Sequence, residues 1–376
     1  MGLVARAEHV GSLLRPDYLL AARSERQRDR LTAASFKATE DRAVREVVAL
    51  QREAGCPVVT DGELRRESFQ GEFTAAVDGV AGAELDAWLW GDWYSEEFGH
   101  RHVERPGELA VVGRLRKRRN LAAEEFTFLR AHLDGTGGTA PTIKVTLPSP
   151  SLFAGLWSPT SSGPYRTLDD FLSDVVEILC DEVRELVRLG CRYIQLDAPH
   201  YPLLVDPRWR EFYEARGWDA DRWLGYGIEL DNAVIAAGQP ATFGFHLCRG
   251  NQDSRWLVSG AYESIARPVF TTLRADRLLL EYDDERSGGF DPLRFVPEDR
   301  VVVLGLVTTK HPRLEPHREL LARVDDASQR VGLERLAIGT QCGFATSLHG
   351  NRLSGEDQRR KLELVVTTAE RAFGSA

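Results

Sequence analysis

Residues 243–251 read FGFHLCRGN, an apolar run that begins at Ala241 and ends in a polar glycine turn. This pattern predicts a strand over residues 241–247. Residues two apart on a strand lie on the same face, so His246 and Cys248 are expected to point the same way. An imidazole and a thiol are both common zinc ligands, and zinc prefers four ligands. The stretch therefore predicts half of a zinc site at the end of a strand.

Two segments further along the chain have the same form, an apolar run that ends in a metal-binding side chain. Residues 278–281 end in Glu281, and residues 336–342 end in Cys342. Carboxylate oxygen and thiolate sulfur both bind zinc. We therefore expect a zinc site made of His246, Cys248, Glu281 and Cys342.

Short apolar runs alternate with amphipathic helical patterns along the whole chain. The longest helical pattern covers residues 167–189, and others cover residues 36–54, 261–273, 314–331 and 355–373. Eight such alternations are typical of a (β/α)8 TIM barrel, whose active site lies at the carboxyl ends of the strands. The predicted strands lie near residues 9–14, 57–61, 142–147, 192–197, 241–247, 277–282, 300–307 and 336–341. The predicted zinc ligands fall at such ends.

One segment, residues 69–141, interrupts this alternation. It contains Trp88, Trp90 and Trp93, the basic run RLRKRR at residues 114–119, and the glycine-rich residues 135–138. Connections this long seldom lack structure. We interpret the segment as an insertion after the second strand that covers the barrel mouth or extends the fold, within a single domain that spans residues 1–376. The basic run would suit an anionic substrate tail, although such runs are more often solvated surface.

Composition narrows the class of protein. The chain has 376 residues, 43% hydrophobic and 28% charged, with a net charge of -9. This charge disfavours a nucleic-acid or anionic-membrane partner. No segment of signal-peptide or membrane-spanning character is found, so a cytoplasmic location is expected. Five widely spaced cysteines do not suggest a disulfide framework. Cys56, Cys180 and Cys191 are interpreted as small buried hydrophobes.

Six short motifs occur in an order that resembles the cobalamin-independent methionine synthase family, specifically its C-terminal catalytic barrel and its short single-barrel relatives. The resemblance covers nearly the whole chain. The motifs are EHVGS (8–12), DGE (61–63), IQLDAP (194–199), HLC (246–248), LE (280–281) and QCGF (341–344).

The resemblance implies a zinc ion held by His246, Cys248, Glu281 and Cys342. It also implies transfer of a methyl group to a thiol activated as a thiolate, with L-homocysteine as the expected acceptor, methionine as the product and 5-methyltetrahydrofolate as a candidate donor. A free thiol is mostly protonated at neutral pH, and coordination to zinc deprotonates it. The expected partners are thus a small-molecule thiol and a methyl donor. A homo-oligomer is also considered, because barrels of this kind often associate.

Five residues match positions where the family holds the amino-acid part of homocysteine: Val10, Gly11, Ser12, Glu63 and Asp197. Carboxylates suit an ammonium group, while backbone amides and a hydroxyl suit a carboxylate. The alternative for the two acids is a structural role, in which each caps a helix or pairs with an arginine such as Arg65.

The chain departs from the family pattern after the seventh strand, where a family histidine serves as proton donor. The matching place holds Lys310, with His311 beside it. An amine leaving group needs a proton. Either residue could supply it, and Lys310 is preferred over His311 as the pocket residue; a surface lysine or turn histidine is the alternative.

The donor side departs further. Ala198 and Leu203 occupy places where the family has acidic residues, and the family's tryptophan after the third strand is replaced within residues 147–151. These differences put methyltetrahydrofolate in question as the donor and leave the predicted zinc site unaffected.

Three other functions remain open at this point. A relative of epoxyalkane:coenzyme M transferase would also use zinc and a thiol, but it would have no use for two ammonium-binding acids. A metal-free lyase of the uroporphyrinogen decarboxylase type would not need two cysteines and a histidine at strand ends. A non-catalytic protein that stores zinc or mediates an interaction would have a closed four-ligand site that does not respond to thiols.

Overall fold

The computed structural model describes residues 3, 5–80, 89–104, 111–135, 140–157, 163–215 and 218–374. Eight parallel strands form a nearly closed barrel in the order β1-β12-β11-β10-β9-β8-β7-β2. The first and last strands of this order are linked at the mouth, where the Thr60 hydroxyl donates to the Gly11 carbonyl at 2.6 Å. The barrel strands are β1 (Ala7–Glu8), β2 (Val58–Val59), β7 (Thr142–Pro148), β8 (Tyr193–Asp197), β9 (Thr242–Leu247), β10 (Arg277–Glu281), β11 (Val301–Val307) and β12 (Leu336–Thr340).

Helices surround these strands. They are α1 (Asp17–Gln27), α2 (Ala33–Glu53), α3 (Gly71–Ala76), α4 (Ala123–Asp134), α5 (Leu168–Arg188), α6 (His200–Leu203), α7 (Pro207–Glu214), α8 (Ala220–Ala237), α9 (Glu263–Thr272), α10 (His317–Ser328) and α11 (Gly355–Phe373). The alternation confirms the predicted (β/α)8 class. In the part of the chain that the structure describes, no helix is long and apolar enough to cross a membrane.

Helix α5 shows how the sequence produces this outer layer. The Thr167 side chain accepts a hydrogen bond from the Asp170 amide at 3.0 Å and so caps the helix start. Burial of each large apolar side chain contributes about 1.5–3 kcal/mol. The buried apolar residues are Phe171, Leu172, Val175, Ile178, Leu179, Val183 and Leu186, which recur at helical spacing. This stripe holds the helix against the barrel.

Strand β10 shows how side chains fill the barrel interior in layers. Alternate residues face inward. Near the start of the strand, Arg277 donates to the Glu8 carboxylate at 2.7 Å. Leu279 packs in the middle with side chains of β11 and β12. Glu281 follows at the carboxyl end. The period-two pattern therefore delivers Glu281 to the barrel mouth.

Seven predicted strands overlap the observed ones, but the prediction of a first strand over residues 9–14 is wrong. Strand β1 is only Ala7–Glu8, paired with Ile338 and Gly339 of β12. Residues 9–14 instead form a loop over the mouth, and Gly11 and Ser12 lie in it. Their backbone groups form individual hydrogen bonds to other segments instead of a strand ladder, such as Leu13 N–H to the Gly62 carbonyl at 3.0 Å.

The predicted insertion contains two small antiparallel pairs besides α3 and α4. Strands β3 (Val77–Val80) and β6 (Val111–Lys117) pair with each other, as do β4 (Gly91–Trp93) and β5 (Arg101–Val103). Trp88 and residues 136–138 lie outside the described residues.

The basic run of the insertion faces acids of the same chain. Arg114 pairs with Asp174 at 3.1 Å, and Lys117 pairs with the buried Glu182 at 3.1 Å. Arg118 and Arg119 also pair with carboxylates. Because Arg114, Arg118 and Arg119 are exposed and already paired with carboxylates, the arrangement favours the solvated-surface interpretation of the run over the anion-binding one.

Candidate metal centre

Three of the predicted zinc ligands meet at the barrel mouth. One nitrogen or sulfur atom from each of His246, Cys248 and Cys342 lies within 4.8 Å of the other two. His246 is the fifth residue of β9, Cys248 follows that strand, and Cys342 follows β12. All three side chains are buried. The fold therefore brings together ligands almost a hundred residues apart.

The His246 ring is oriented by a backbone group. Its Nδ1 lies 3.1 Å from the Leu279 carbonyl oxygen, which can only accept, so Nδ1 carries the proton. Its Nε2 is buried without a hydrogen-bond partner. Buried polar atoms nearly always have a partner. An imidazole held in this way presents a lone pair, which is how metal-binding histidines are usually arranged.

The two thiols lie close together, with their sulfur atoms within 4.8 Å of each other. A hydrogen bond from Cys342 lowers the pKa of Cys248 to about 5, helped by His246 and opposed by burial. The same contact raises the pKa of Cys342. The neighbouring thiol and imidazole therefore favour the thiolate form of Cys248, which is the form that binds a metal. A nitrogen and two sulfurs form a donor set that suits zinc, so these residues fit the metal that the sequence predicts.

Glu281 lies next to this cluster but outside it. One carboxylate oxygen accepts from the Arg249 amide at 2.5 Å, and the other accepts from Arg286 at 2.6 Å and Lys310 at 3.2 Å. Burial opposes ionisation, but Lys310 and Arg286 outweigh it and hold the pKa of Glu281 well below its usual range. Its predicted role as fourth ligand stays a prediction.

Lys310 and His311 lie in different surroundings. The Lys310 ammonium is buried between Glu281 and Asp283, with Asp283 at 2.9 Å. Burial lowers the pKa of Lys310, yet Asp283 and Glu281 raise it overall. His311 is half-buried, and burial together with Lys361 lowers its pKa to about 4. Lys310 is therefore the one that reaches the site acids, and its predicted role as proton donor stays a prediction.

The loop with Val10, Gly11 and Ser12 contacts both the cluster and an acid. A Cβ at Gly343, directly after Cys342, would lie 1.9 Å from Ser12 Oγ. A Cβ at Gly11 would lie 3.1 Å from Glu63 Oε1. The Val10 amide is engaged with Thr340 Oγ1 at 3.2 Å. The glycines allow the loop to sit tightly between Cys342 and Glu63.

Glu63 has an unusual backbone. Its φ is 56°, in the left-handed region that residues other than glycine seldom adopt. Its Oε1 accepts from Thr146 Oγ1 at 2.8 Å, and its side chain is buried. Arg65 pairs with Asp41 instead, at 2.6 Å. Because Arg65 pairs with Asp41, it does not form the ion pair with Glu63 that the structural alternative requires. A left-handed backbone of the kind seen at Glu63 often occurs at functional sites.

Asp197 ends strand β8 beside β9, where its register partner is His246. One carboxylate oxygen accepts from Gln195 Nε2 at 2.7 Å. Burial raises the pKa of Asp197 to about 7, although His246 opposes this. A buried carboxyl group without a cation partner is costly to ionise. Asp197 is therefore suited to meet a cation that a ligand brings.

Several residues at this site were missed by the sequence analysis. Thr146 and Arg286 come from strand ends or loops with no metal-binding or catalytic pattern. Asn251 was part of the opening stretch, three residues after Cys248, but had no role assigned. The sequence feature that could have identified Asn251 is its position in the glycine turn that follows Cys248.

A family model described as the catalytic domain of cobalamin-independent synthase matches residues 153–371. The uncharacterized protein YxjH of Bacillus subtilis is 34% identical over 367 residues, which are 97% of this chain and 93% of that protein. The methionine synthase of Thermococcus kodakarensis is 26% identical over 341 residues, 89% of this chain and 85% of that protein.

Among solved structures, one assigned as the vitamin-B12-independent methionine synthase of Listeria monocytogenes is similar to this chain. The TM-score is 0.72 at 25% identity, and the match covers 100% of both chains. The similarity therefore extends over the whole barrel.

Proposed function

Because the chain belongs to the cobalamin-independent methionine synthase family, we propose that it is a zinc-dependent S-methyltransferase that methylates L-homocysteine to methionine. Membership of this family supports an enzyme that transfers a methyl group. The observation that carries the finer proposal is the unpartnered Nε2 of His246 beside Cys248 and Cys342. The proposal requires that this nitrogen and these sulfurs bind zinc.

In this proposal His246, Cys248 and Cys342 hold the metal, and Glu281 is the candidate fourth ligand. A bound zinc would supply acidification of the substrate thiol, which then acts as a nucleophile near neutral pH. Lys310 and Arg286 keep Glu281 ionised. Burial of the cluster excludes bulk water, so competing hydrolysis of the methyl donor is suppressed.

The amino-acid part of the acceptor would lie between the mouth loop and two acids. Glu63 follows β2 and Asp197 ends β8, on either side of β7; both are buried, and they suit an ammonium group. The Ser12 hydroxyl, next to the residue after Cys342, suits the carboxylate. A thiol with a sulfonate instead of an amino acid would leave both acids without a partner. This supports homocysteine over coenzyme M.

The methyl donor is less defined. Ala198 and Leu203 are buried and apolar where the family has acids. After β7, Ser151 contacts His200 Nε2 at 2.7 Å, in the region where the family has a tryptophan. Hydroxyl and imidazole groups form hydrogen bonds with polar groups of a ligand, whereas a tryptophan side chain mainly stacks on flat rings. We therefore propose 5-methyltetrahydrofolate as only one of the donors to be compared.

The test is to incubate purified, zinc-loaded protein with L-homocysteine and a panel of methyl donors, and to measure methionine by mass spectrometry. Methionine formed by the wild type and abolished by Cys248→Ser supports the proposal. Methionine formed equally by Cys248→Ser contradicts the role of the metal. Failure with every donor, while the thiol still binds, would show that the protein is not a methionine synthase.

A further inference from the structure

A buried asparagine joins the two loops that carry the cysteines. Asn251, three residues after Cys248, donates from Nδ2 to the carbonyl of Gly343 at 2.7 Å. Gly343 directly follows Cys342. The Thr346 hydroxyl in turn donates to the Asn251 carbonyl. These hydrogen bonds join the loop after β9 to the loop after β12, at positions only a few residues from Cys248 and Cys342.

A second asparagine locks the first in place. Asn351 Nδ2 donates to Asn251 Oδ1 and to the Thr309 carbonyl, both at 2.9 Å. Asn351 Oδ1 accepts from the Ser254 amide at 2.8 Å. Thr309 Oγ1 donates to the same Gly343 carbonyl at 2.9 Å. The network therefore connects the loops after β9, β11 and β12.

These side chains are buried, with Asn251 at 4% exposure, Asn351 at 6% and Thr309 at 0%. A buried amide contributes less apolar stabilisation than a leucine of similar size would. Each of its polar atoms also needs a hydrogen-bond partner. What a satisfied polar network adds is a single defined geometry. Here that geometry concerns the backbone that carries Cys248 and Cys342.

We propose that Asn251 and Asn351 are positioning residues that set the separation of the Cys248 and Cys342 sulfurs, and so the affinity of the site for metal. This inference rests on the proposed function. Neither asparagine is among the proposed metal ligands or the proposed substrate-binding residues. They act through the two loops, in the way that residues around a metal's ligands typically tune affinity.

The test uses Asn351→Leu, which removes the hydrogen bonds at similar volume, and Asn351→Asp, which keeps the size and replaces the donor with an acceptor. Asn232→Leu is the control, because the Asn232 side chain also joins two segments: it donates to the Thr272 carbonyl at 3.0 Å and accepts from the Arg274 amide at 2.7 Å, before β10 begins and so at the opposite end of that strand from Glu281. Zinc affinity is measured by competition with a chromophoric chelator. Both Asn351 variants should bind zinc about 10- to 100-fold more weakly, and the control should bind as the wild type does.

A metal-independent readout separates this inference from the proposed function. Phenylarsine oxide bridges two thiols that lie close together, and mass spectrometry measures its capture by the metal-free protein. The Asn351 variants should capture it more slowly than the wild type and Asn232→Leu. If the wild type binds the arsenical but not zinc, and the Asn351 variants lose the arsenical, the positioning role stands and the zinc proposal fails. Wild-type zinc affinity and capture in both Asn351 variants would overturn the inference, as would equal losses in the control.

Discussion

His246 donates its Nδ1 proton to the Leu279 carbonyl oxygen at 3.1 Å, and the two residues are register partners on adjacent strands. Strand pairing thus fixes the tautomer of the imidazole. Its Nε2 is left without a hydrogen-bond partner, and a ring nitrogen of His246 lies within 4.8 Å of the two cysteine sulfurs. The metal proposal depends on this relationship between a barrel hydrogen bond and a ligand.

Replacing Cys342 with serine should remove most of the zinc while the barrel stays folded, because the barrel is held by its packed strands and helices. Zinc in protein sites contributes about 10–16 kcal/mol over four ligands, roughly 2.5–4 kcal/mol for each. A loss of roughly 100-fold or more in affinity is expected. Metal analysis measures the loss of zinc, and circular dichroism measures whether the barrel stays folded.

Cys180→Ser changes a buried cysteine of α5 and is the control that should retain zinc. Global unfolding of Cys342→Ser would make the zinc structural.

Glu63→Gln should weaken homocysteine binding, because the amide cannot pair with the ammonium group. A hydrogen bond to a charged group contributes about 1.5–3 kcal/mol, which is roughly 10- to 150-fold in the dissociation constant. Isothermal titration gives the value for zinc-loaded protein. An analogue that lacks the amino group should bind the wild type and the variant equally. An equal loss for both ligands would show that Glu63 supports the fold of the pocket instead.

Lys310→Met should reduce methyl transfer more than His311→Asn does. Lys310 contacts two acids beside the cluster, whereas His311 is half-buried near Lys361. We expect at least a 10-fold difference in kcat between the variants, in line with the contribution of a positioned acid. Initial rates at saturating substrate provide the comparison. A larger loss for His311→Asn would transfer the proposed role to that residue.

Stability should fall at acid pH through Glu8, inside the barrel. Burial raises the pKa of Glu8, but Lys144 and Arg277 outweigh it and lower the pKa from 4.5 to about 2. A lowered folded-state pKa means that the ionised group stabilises the protein above about pH 4.5 and that this contribution is lost as the pH falls towards 2. The contribution is about 3 kcal/mol.

Urea unfolding between pH 6 and pH 3 tests this prediction. Glu8→Gln should be less stable than the wild type at pH 6, and the gap between them should narrow as the pH falls. A gap that stays constant with pH would mean that the loss comes from packing and not from the charge.

Much of the barrel could be predicted from the sequence because buried strands and amphipathic helices have different periods. Strand β10 illustrates this, since Arg277, Leu279 and Glu281 share the inward face as spacing by two requires. The first strand could not be placed, because a strand of only two residues, Ala7–Glu8, leaves almost no periodic signal. The apolar and glycine residues that follow it were therefore mistaken for a strand.

The three clustered ligands could also be anticipated, because each follows an apolar run that ends at the barrel mouth. The surroundings of Glu281 could not, since its partners Arg286 and Lys310 come from loops that only the folded chain brings together. Asn351 lies a hundred residues from Asn251 in the sequence, so nothing local indicates their hydrogen bond.

The most direct test of the central claim is zinc content together with zinc-edge X-ray absorption of the purified protein, with and without L-homocysteine. We expect stoichiometric zinc with a shell of one nitrogen and two sulfurs from the chain, together with oxygen or nitrogen, and one additional sulfur when homocysteine is added. Zinc whose shell does not change with homocysteine would contradict the proposed acceptor. Protein that binds no zinc would contradict the metal centre itself.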